Sequence, residues 1–390
     1  MIEHLPPTPA ESAIAATVNQ AAAAREPLRV QGHGTKSAML RPVQAERVLS
    51  TEGLSGITLY SPSELIISAL AGTPLPEIEA ALAAKGQQLT AEPPDYARLL
   101  GSSGRPQTLG GIAATNLSGP RRVAWGAMRD HVMGIRAVTG RGEVIHSGGR
   151  VLKNVTGLDL CKLLTGSHGT LGVITEITLK VLPASETSAT LVLPIAGATA
   201  AVAALSAALG SPFGVSGAAW LPAGSLFPHA VALIRIEDFA ASVKYRTEKL
   251  AKELAIPGTT ILDAPASQAA WAGVRDATPL PLGDAVWRVS VRPSAGPDVL
   301  RDAGMDGFLD WGGGLVWLTG PASQEAHRRV ETAANAAGGT WTLMRAPDDL
   351  RLAAHVVPPE VPALAAIARR VKASMDPFGI LNPGRMYAGL

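Results

Sequence analysis

The chain has 390 residues, of which 47% are hydrophobic and 17% charged, and its net charge is +2. This length predicts two or more domains with a sizeable core, and this composition excludes an intrinsically disordered protein. The 34 basic residues are scattered and nearly balanced by 32 acidic ones, so we do not expect a nucleic-acid-binding surface.

The chain has one cysteine, Cys161. It excludes an intramolecular disulfide and any all-cysteine metal site within this chain, and its apolar neighbours favour a small buried side chain. No apolar run approaches the roughly 20 residues of a membrane-spanning helix, and residues 1–20 do not resemble a secretory signal. We therefore expect a cytoplasmic protein without a transmembrane segment.

The N-terminal half alternates helical and extended patterns, which is typical of an α/β domain. The predicted helices cover residues 12–25, 64–71 and 75–85, and the predicted strands cover 28–31, 56–60, 135–139, 143–147 and 173–182. The strands at 135–139 and 143–147 form a hairpin across a Gly-Arg-Gly turn. Residues 107–134, which lie between the predicted helix at 75–85 and the predicted strand at 135–139, are rich in glycine and are predicted as a long loop.

The C-terminal half contains two rounds of strand, helix and strand. The predicted strands cover 189–193, 215–220, 231–237, 259–262, 285–291, 314–318 and 340–343, and the predicted helices cover 198–209, 240–254, 324–337 and 361–374. This repetition predicts an α+β cap of the ferredoxin-like kind. We place the boundary between the two halves near residue 185.

Three glycine-rich segments, residues 32–37, 110–119 and 166–175, offer many backbone amides with small side chains. Consecutive amides of this kind can form a nest for a pyrophosphate. None of the three is a Rossmann fingerprint or a Walker A loop. Each is a weak signal alone, because a glycine-rich turn that enters a strand is common.

The three segments and the C-terminus together resemble a known family. The matching motifs, in the family's order, are VQGHGTK, TLGGIAATNLSGPRRVAWGAMRDHVMG, GSHGTLGVITEITLKVLP and DPFGILNPGRMY. They resemble the FAD-binding PCMH-type domain of the vanillyl-alcohol oxidase / p-cresol methylhydroxylase superfamily. The run KNVTGLDLCKLLTGSHGTLGVITEITLKVLP looks most like the smaller flavoprotein subunit of bacterial glycolate oxidase (glycolate dehydrogenase) complexes.

The resemblance implies an α+β fold in three parts. An FAD-binding PCMH-type domain would occupy residues 1–185, and a ferredoxin-like α+β cap would occupy residues 186–375. Residues 376–390 would form a tail that returns to the FAD domain.

The resemblance also implies a set of FAD-binding residues. In the first loop they are Gly32, His33, Gly34, Thr35 and Lys36; in the second, Gly110, Gly111, Thr115, Asn116, Ser118 and Gly119; in the third, Gly166, Gly169, Thr170, Gly172, Val173 and Ile174; in the tail, Asn382 and Arg385. Simpler roles stay open for three of them. Lys36 would then be a solvated loop charge, Arg385 a contact that holds the tail, and Asn382 a turn residue before Pro383.

Two histidines bear on the cofactor. In family members that attach flavin covalently, the histidine of the first loop follows a Gly-Gly pair, whereas His33 lies between Gly32 and Gly34. We therefore expect FAD to be bound non-covalently. His168 stands where the family commonly has an acidic residue, which puts a charge-dependent role at that position in doubt.

Catalytic residues stay unassigned. Relatives that oxidise 2-hydroxy acids carry an H-x-G-D-G-N-x-H cluster, which this chain lacks, and no two of its eight histidines have a metal-ligand spacing. We expect no metal site. Arg351 and His355 lie four apart on one face of a predicted helix, and a partly buried surface pair explains them.

Three functions are compatible with these residues. The first is an FAD-binding subunit that works with a related FAD-binding subunit and an iron–sulfur subunit, oxidises glycolate to glyoxylate, and is cytoplasmic or held on the inner face of the cytoplasmic membrane by its partners. The second is a stand-alone FAD oxidase or dehydrogenase of a hydroxy acid or sugar alcohol. The third is a flavin-stabilised, non-catalytic assembly subunit. The retained flavin loops and the missing metal cluster favour the first.

Overall fold

The computed structural model describes residues 6–102, 104–149 and 158–389, so the first five residues of the KNVTGLDLCKLLTGSHGTLGVITEITLKVLP run, 153–157, lie outside the described residues. The N-terminal half contains the helices α1 (Pro9–Ala24), α2 (Leu75–Ala83), α3 (Ala97–Leu100), α4 (Leu109–Thr115), α5 (Arg122–Trp125), α6 (Met128–His131) and α7 (Leu160–Leu164). Its strands are β1 (Leu28–Gln31), β2 (Arg47–Ser50), β3 (Ile57–Ser61), β4 (Ile66–Leu70), β5 (Gln87–Gln88), β6 (Val132–Val138), β7 (Val144–Gly148), β8 (Val173–Lys180) and β9 (Leu182–Pro183).

These strands form one main sheet and two small ones. The main sheet is antiparallel with the order β3-β4-β8-β6-β7. β1 and β2 form a separate parallel pair, and β5 pairs with β9. Helix α1 begins with a capping box between Thr8 and Glu11, and its buried side chains Ile14 and Val18 share a core with Leu28 of β1. This hydrophobic core therefore joins the first helix to the parallel pair.

Two predictions in this half are wrong. The helix predicted at residues 64–71 is absent, and Ile66–Leu70 form β4 instead. Leu65 has a left-handed φ of 57° that ends a single 3₁₀ turn, and β-branched Ile66 and Ile67 follow it. The long loop predicted at residues 107–134 contains the short helices α4, α5 and α6. Thr108 caps α4 through its hydroxyl, and this cap offsets the poor helix propensity of the two glycines that follow.

The C-terminal half is built on one eight-stranded antiparallel sheet. Its strands are β10 (Thr187–Leu193), β11 (Val215–Leu221), β12 (Val231–Asp238), β13 (Thr260–Leu262), β14 (Ala285–Ser290), β15 (Asp306–Asp310), β16 (Leu315–Gly320) and β17 (Thr340–Arg345). Its helices are α8 (Ala198–Leu209), α9 (Ala240–Leu254), α10 (Ala264–Arg275), α11 (Gly296–Ala303), α12 (Gln324–Ala336), α13 (Asp348–Ala353) and α14 (Pro362–Met375).

The strand order β13-β10-β12-β11-β15-β16-β14-β17 contains the ferredoxin-like arrangement twice. Each set of four strands has the order 4-1-3-2 by position in the chain, and the two sets meet where β11 pairs with β15. The predicted α+β class with a ferredoxin-like cap is confirmed. The sequence prediction missed α10, α11 and β15, which are short or lie among glycine and proline residues.

The tail returns to the N-terminal half, as the resemblance implied. The amide of Leu28 donates to the carbonyl oxygen of Ile380 (2.7 Å), and the amide of Asn382 donates to the carbonyl oxygen of Leu28 (3.0 Å). Cys161 is buried, with 3% of its surface exposed. Within the described ranges, no helix combines the length and apolar character needed to cross a membrane.

Candidate functional site

A cavity of about 440 Å³ lies where the turn after β1, the helix α4, the third glycine loop and the tail meet. Its volume is in the range of small-molecule sites. The residues that line it are Arg29, Val30, Gln31, Gly32, His33, Gly34, Thr35, Lys36, Ser37, Ala38, Pro42, Val43, Thr108, Gly111, Ala114, Thr115, His168, Asp348, Arg351, Asn382 and Arg385. The structure thus brings together residues from both ends of the chain, from Arg29 to Arg385.

The whole first loop lines this cavity. The amides of residues 32–36 donate to no other group in the described part of the chain, so five consecutive donors remain available. Gly34 has a left-handed φ of 72°, which turns the chain so that the amide of Ser37 reaches the Gly34 carbonyl oxygen (3.0 Å). At Gly32 a Cβ atom would collide with the Thr108 hydroxyl. This loop has the free amides of an anion-binding nest.

Lys36 points into the structure and not into open solvent. Its Nζ donates to Oε1 of Gln107 (2.8 Å), and Gln107 in turn donates to the carbonyl oxygen of Pro94 (3.0 Å). Burial lowers the pKa of Lys36 to about 8, although nearby Asp95 opposes this shift. A bound anion would stabilise the ammonium form.

Three buried or half-buried arginines surround the same cavity. Arg385 donates to the carbonyl oxygens of Lys36 (2.7 Å), Ser37 (3.1 Å) and Arg41 (3.0 Å). Burial, together with repulsion by Arg351 and Arg29, lowers the pKa of Arg385 to about 9. A cation held among other cations makes the cavity electropositive.

Sequence reasoning missed Arg29 and assigned Arg351 to the wrong partner. Arg351 is buried and donates to the carbonyl oxygens of Leu40 (2.6 Å) and Ser37 (3.1 Å). His355 lies beyond the end of α13, its side chain is 67% exposed, and it faces Glu331 at 3.8 Å. The two residues therefore do not form the predicted helix-face pair. Among the described residues that line the cavity, Asp348 alone carries a carboxylate.

The second loop contributes Gly111 and Thr115 to the cavity wall. Gly110 lies behind it, because its amide donates to the carbonyl oxygen of Ala71 (2.7 Å). Asn116, Ser118 and Gly119 also lie outside the wall.

These three residues of the second loop have structural partners. Asn116 accepts the amide of Arg129 (3.0 Å), and Ser118 accepts that of Met128 (2.9 Å). The amide of Gly119 donates to the carbonyl oxygen of Ala91 (3.0 Å). These contacts position the loop and leave fewer free amides than the first loop has.

The third loop supports the second one. The amides of Gly166 and His168 donate to the carbonyl oxygens of Ala113 (3.0 Å) and Ala114 (2.8 Å) of α4. Of the loop, only His168 lines the cavity. The predicted residues Gly166, Gly169, Thr170, Gly172, Val173 and Ile174 lie behind or beside it, and the side chains of Val173 and Ile174 are buried in the two N-terminal cores.

Both histidines at the cavity have defined environments. The Nδ1 atom of His33 lies 2.6 Å from the carbonyl oxygen of Pro106. Burial and the nearby Arg385 lower the pKa of His168 to about 3, so His168 is neutral at physiological pH. Its side chain therefore adds no positive charge.

Asn382 connects the tail to two other elements. Its Oδ1 accepts the amide of Val30 in β1 (2.8 Å), and its Nδ2 donates to the carbonyl oxygen of His168 (2.8 Å). Asn382 has a left-handed φ of 43°, a conformation that asparagine tolerates better than most residues. It is more than a turn residue, since it joins β1, the third loop and the tail.

These features fit the diphosphate of a dinucleotide. One cavity is lined by the residues that carry five unbonded amides, the Lys36 ammonium and three guanidinium groups. Each of these groups can donate hydrogen bonds to anionic oxygens. In the described part of the chain, no group of three or more His, Cys, Asp or Glu side chains has the arrangement of a metal site.

Comparisons with known proteins agree with this chemistry. A family model for an FAD binding domain matches residues 9–148. The chain is 38% identical to the glycolate oxidase subunit GlcE of Escherichia coli (strain K12) over 376 residues, which is 96% of each chain.

Other relatives share only part of the chain. It is 35% identical to the glycolate oxidase subunit GlcD of Bacillus subtilis over 139 residues, 36% of this chain and 28% of that one. It is 32% identical to a D-lactate dehydrogenase of Archaeoglobus fulgidus over 169 residues, 43% of this chain and 36% of that one.

The solved structure of alkyldihydroxyacetonephosphate synthase shares the fold, with a TM-score of 0.68 at 18% identity over 95% of this chain and 75% of that one. Together with the full-length likeness to GlcE, the family model establishes both the family and its cofactor. The chain belongs to the family of FAD-linked oxidoreductases that includes the glycolate oxidase subunit GlcE, and its cofactor is FAD.

Proposed function

We propose that this chain is an FAD-binding subunit of a glycolate oxidase (glycolate dehydrogenase) complex, which oxidises glycolate, a 2-hydroxy acid, to glyoxylate. The observation that carries the proposal is the likeness to a glycolate oxidase subunit over 96% of both chains. The partial likenesses to GlcD and to D-lactate dehydrogenase support oxidation of a 2-hydroxy acid.

Within this proposal the first loop holds the diphosphate. The amides of residues 32–36 would donate to its oxygens, while Lys36, Arg29 and Arg385 would balance its charge. Gly111 and Thr115 would line the adjoining part of the cofactor, and the remaining predicted residues of the second and third loops would position those loops from behind. His33 would stay free of a covalent bond, so denaturation should release all the FAD.

The reaction needs an acceptor for the hydride on the α-carbon of the acid, and FAD supplies this chemistry when bound. The chain itself would bind the cofactor, orient it and exclude water. A related FAD-binding subunit and an iron–sulfur subunit would be the partners, and the iron–sulfur subunit would receive the electrons. The complex would be cytoplasmic or held at the inner face of the cytoplasmic membrane through those partners.

The same proposal divides the chain into an FAD-binding domain at residues 1–185, a cap at 186–375 and a tail at 376–390. The eight-stranded sheet, which begins at Thr187 in β10, supports the first boundary. The return of Ile380 and Leu381 to β1 supports the third part.

A turnover assay tests the proposal. The FAD-loaded chain would be assayed with glycolate and D-lactate and an artificial electron acceptor, alone and after co-expression with the related flavoprotein and iron–sulfur subunits. We expect turnover of glycolate only with the partners. Full turnover by the isolated chain would support a stand-alone enzyme instead, and bound FAD without turnover in any combination would support an assembly subunit.

A further inference from the structure

Two arginines lie over one indole ring at the contact between the two halves of the molecule. The guanidinium carbon of Arg122 is 4.5 Å from the ring centroid of Trp311, and that of Arg288 is 4.8 Å from it. Arg122 begins α5 in the N-terminal half, whereas Arg288 lies in β14 of the cap. Each half therefore contributes one cation to the same place.

Neither arginine has a carboxylate partner at ion-pair distance within the described ranges, which distinguishes them from their neighbours. Arg121 forms an ion pair with Glu237 (2.6 Å), and Arg235 forms one with Glu92 (2.9 Å). Burial lowers the pKa of both Arg122 and Arg288. Repulsion by Arg129 adds to the shift of Arg122, and repulsion by Arg122 adds to the shift of Arg288.

The charged form of Arg122 is favoured by Asp130, and that of Arg288 by Tyr96 and then by Asp310. Neither acid forms an ion pair with its arginine. A half-buried cation without an ionic partner destabilises the folded protein unless an anion binds beside it. Stacking on Trp311 offsets only part of this cost.

The backbone at Trp311 is held in a strained conformation. Trp311 has a left-handed φ of 54°, and the next two residues, Gly312 and Gly313, also have positive φ values of 68° and 106°. For a non-glycine residue this conformation costs roughly 1–2 kcal/mol. Asp310 holds it by accepting the amide of Trp311 (2.7 Å). Strain of this kind is concentrated at functional sites.

The cluster is connected to the flavin-binding loops. The indole Nε1 of Trp311 donates to the carbonyl oxygen of Gly119 (3.1 Å), at the end of the second loop. Arg288 is paired in register with Trp317, whose ring packs edge-on against Tyr96 at 5.4 Å. Tyr96 is two residues after Pro94. The side chain of Gln107 donates to the carbonyl oxygen of Pro94 and accepts the ammonium of Lys36, which lines the cavity.

We propose that Arg122 and Arg288 form a subsite that binds the carboxylate of a small organic acid between the two halves of this chain. The proposal rests on the proposed function and names the residues that would recognise its substrate. A guanidinium group binds a carboxylate through two parallel hydrogen bonds. Because Trp311 already orients both groups, little side-chain entropy is lost on binding.

Calorimetric titration of the FAD-loaded full-length chain with oxalate, a two-carbon acid that cannot donate a hydride, tests this subsite. We expect one oxalate to bind per chain. Arg122→Met or Arg288→Met should each raise the Kd for oxalate about tenfold or more, since each removes a charge-assisted contact. Arg288→Lys should keep part of the affinity, because the charge stays but the paired geometry is lost.

The matched control is Arg301→Met, which removes an arginine that is 66% exposed on α11 and should leave the Kd unchanged. Neutral glycolamide should not bind. Flavin content and thermal unfolding of each variant show whether it is folded. If the methionine variants lose flavin, the Kd for oxalate of Arg288→Lys is compared with that of wild type instead.

Three results would overturn the subsite: unchanged oxalate affinity in folded variants, tighter binding of inorganic phosphate than of oxalate, or no oxalate binding by the FAD-loaded chain. None of them depends on turnover. The proposed function would still stand if the complete complex oxidised glycolate, and in that case the carboxylate would bind elsewhere.

Discussion

Lys36 combines burial and charge in the cavity where we propose that the cofactor binds. Its ammonium group lies against Gln107 in a cavity that also holds Arg29, Arg351 and Arg385. Burial lowers its pKa to about 8, although Asp95 opposes this shift. The simpler interpretation of Lys36 as a solvated loop charge does not fit this burial.

We expect the affinity for FAD to depend on pH through Lys36. A diphosphate favours the protonated ammonium, so affinity should be highest below pH 8 and should fall above it, by up to about tenfold per pH unit. Lys36→Met should weaken FAD binding at pH 7 by about tenfold and remove this dependence. Flavin fluorescence titrations between pH 6.5 and 8.8 measure both effects.

The control for this prediction is Lys85→Met, which changes an exposed lysine at the end of α2. It should bind FAD with the affinity and pH dependence of wild type. A Lys36→Met variant with the pH dependence of wild type would show that another group titrates.

At the scale of elements, the tail completes the site that the N-terminal half begins. Lys372 at the end of α14 donates to the carbonyl oxygens of Thr170 (2.7 Å) and Leu381 (3.1 Å). The buried Asp376 accepts the ammonium of Lys372 (2.7 Å) and the amide of Leu381 (2.8 Å). Asn382 follows directly, so the helix and tail hold the third loop against β1.

Asn382→Ala should therefore affect both stability and FAD binding. It leaves the amide of Val30 and the carbonyl oxygen of His168 without their partner, which costs about 1–3 kcal/mol for each buried group. We expect a lower melting temperature and faster loss of FAD on dilution. Asn335→Ala, on the exposed side of α12, is the control and should change neither. Wild-type FAD retention by Asn382→Ala would contradict this role.

At the scale of the whole molecule, a buried ion network joins the N-terminal half to the cap. Arg121 pairs with Glu237, and Arg235 pairs with both Glu92 and Glu237. Ser216 donates to Glu237 (2.6 Å) as well. The arginines and these hydrogen bonds outweigh burial and lower the pKa of Glu237 to about 2.

Removal of the Glu237 charge should destabilise the protein in a pH-dependent way. Its folded pKa lies below its ordinary value of 4.5, so the stabilisation is complete above about pH 4.5 and is lost as the pH falls towards 2. Glu237→Gln removes the carboxylate that both buried arginines share, and we expect it to lower the free energy of unfolding by about 3–5 kcal/mol at pH 7. Urea unfolding at pH 7 and pH 3 measures the difference.

The exposed Glu253 on α9 provides the control, because Glu253→Gln should unfold like wild type at both pH values. An equal loss for Glu237→Gln at both pH values would mean that packing, and not charge, explains its contribution.

Local features of this protein are predictable from its sequence alone. The helices at Ala198–Leu209 and Ala240–Leu254 were predicted at their observed bounds, because their propensities and apolar spacing act within a few residues. The glycine loops and the DPFGILNPGRMY tail were likewise sufficient to predict the family and FAD, because each is a contiguous motif.

Which of these residues line the cavity depends on how distant elements pack against one another. Gly110 and Gly119 differ little from Gly111 in sequence, yet only Gly111 of the three lines the cavity. The amides of Gly110 and Gly119 donate to the carbonyl oxygens of Ala71 and Ala91. Arg29 and Arg351 carry no local signal, since their role depends on where β1 and α13 meet. The Trp311 cluster unites residues from both halves of the chain, and such contacts arise only when distant elements pack together.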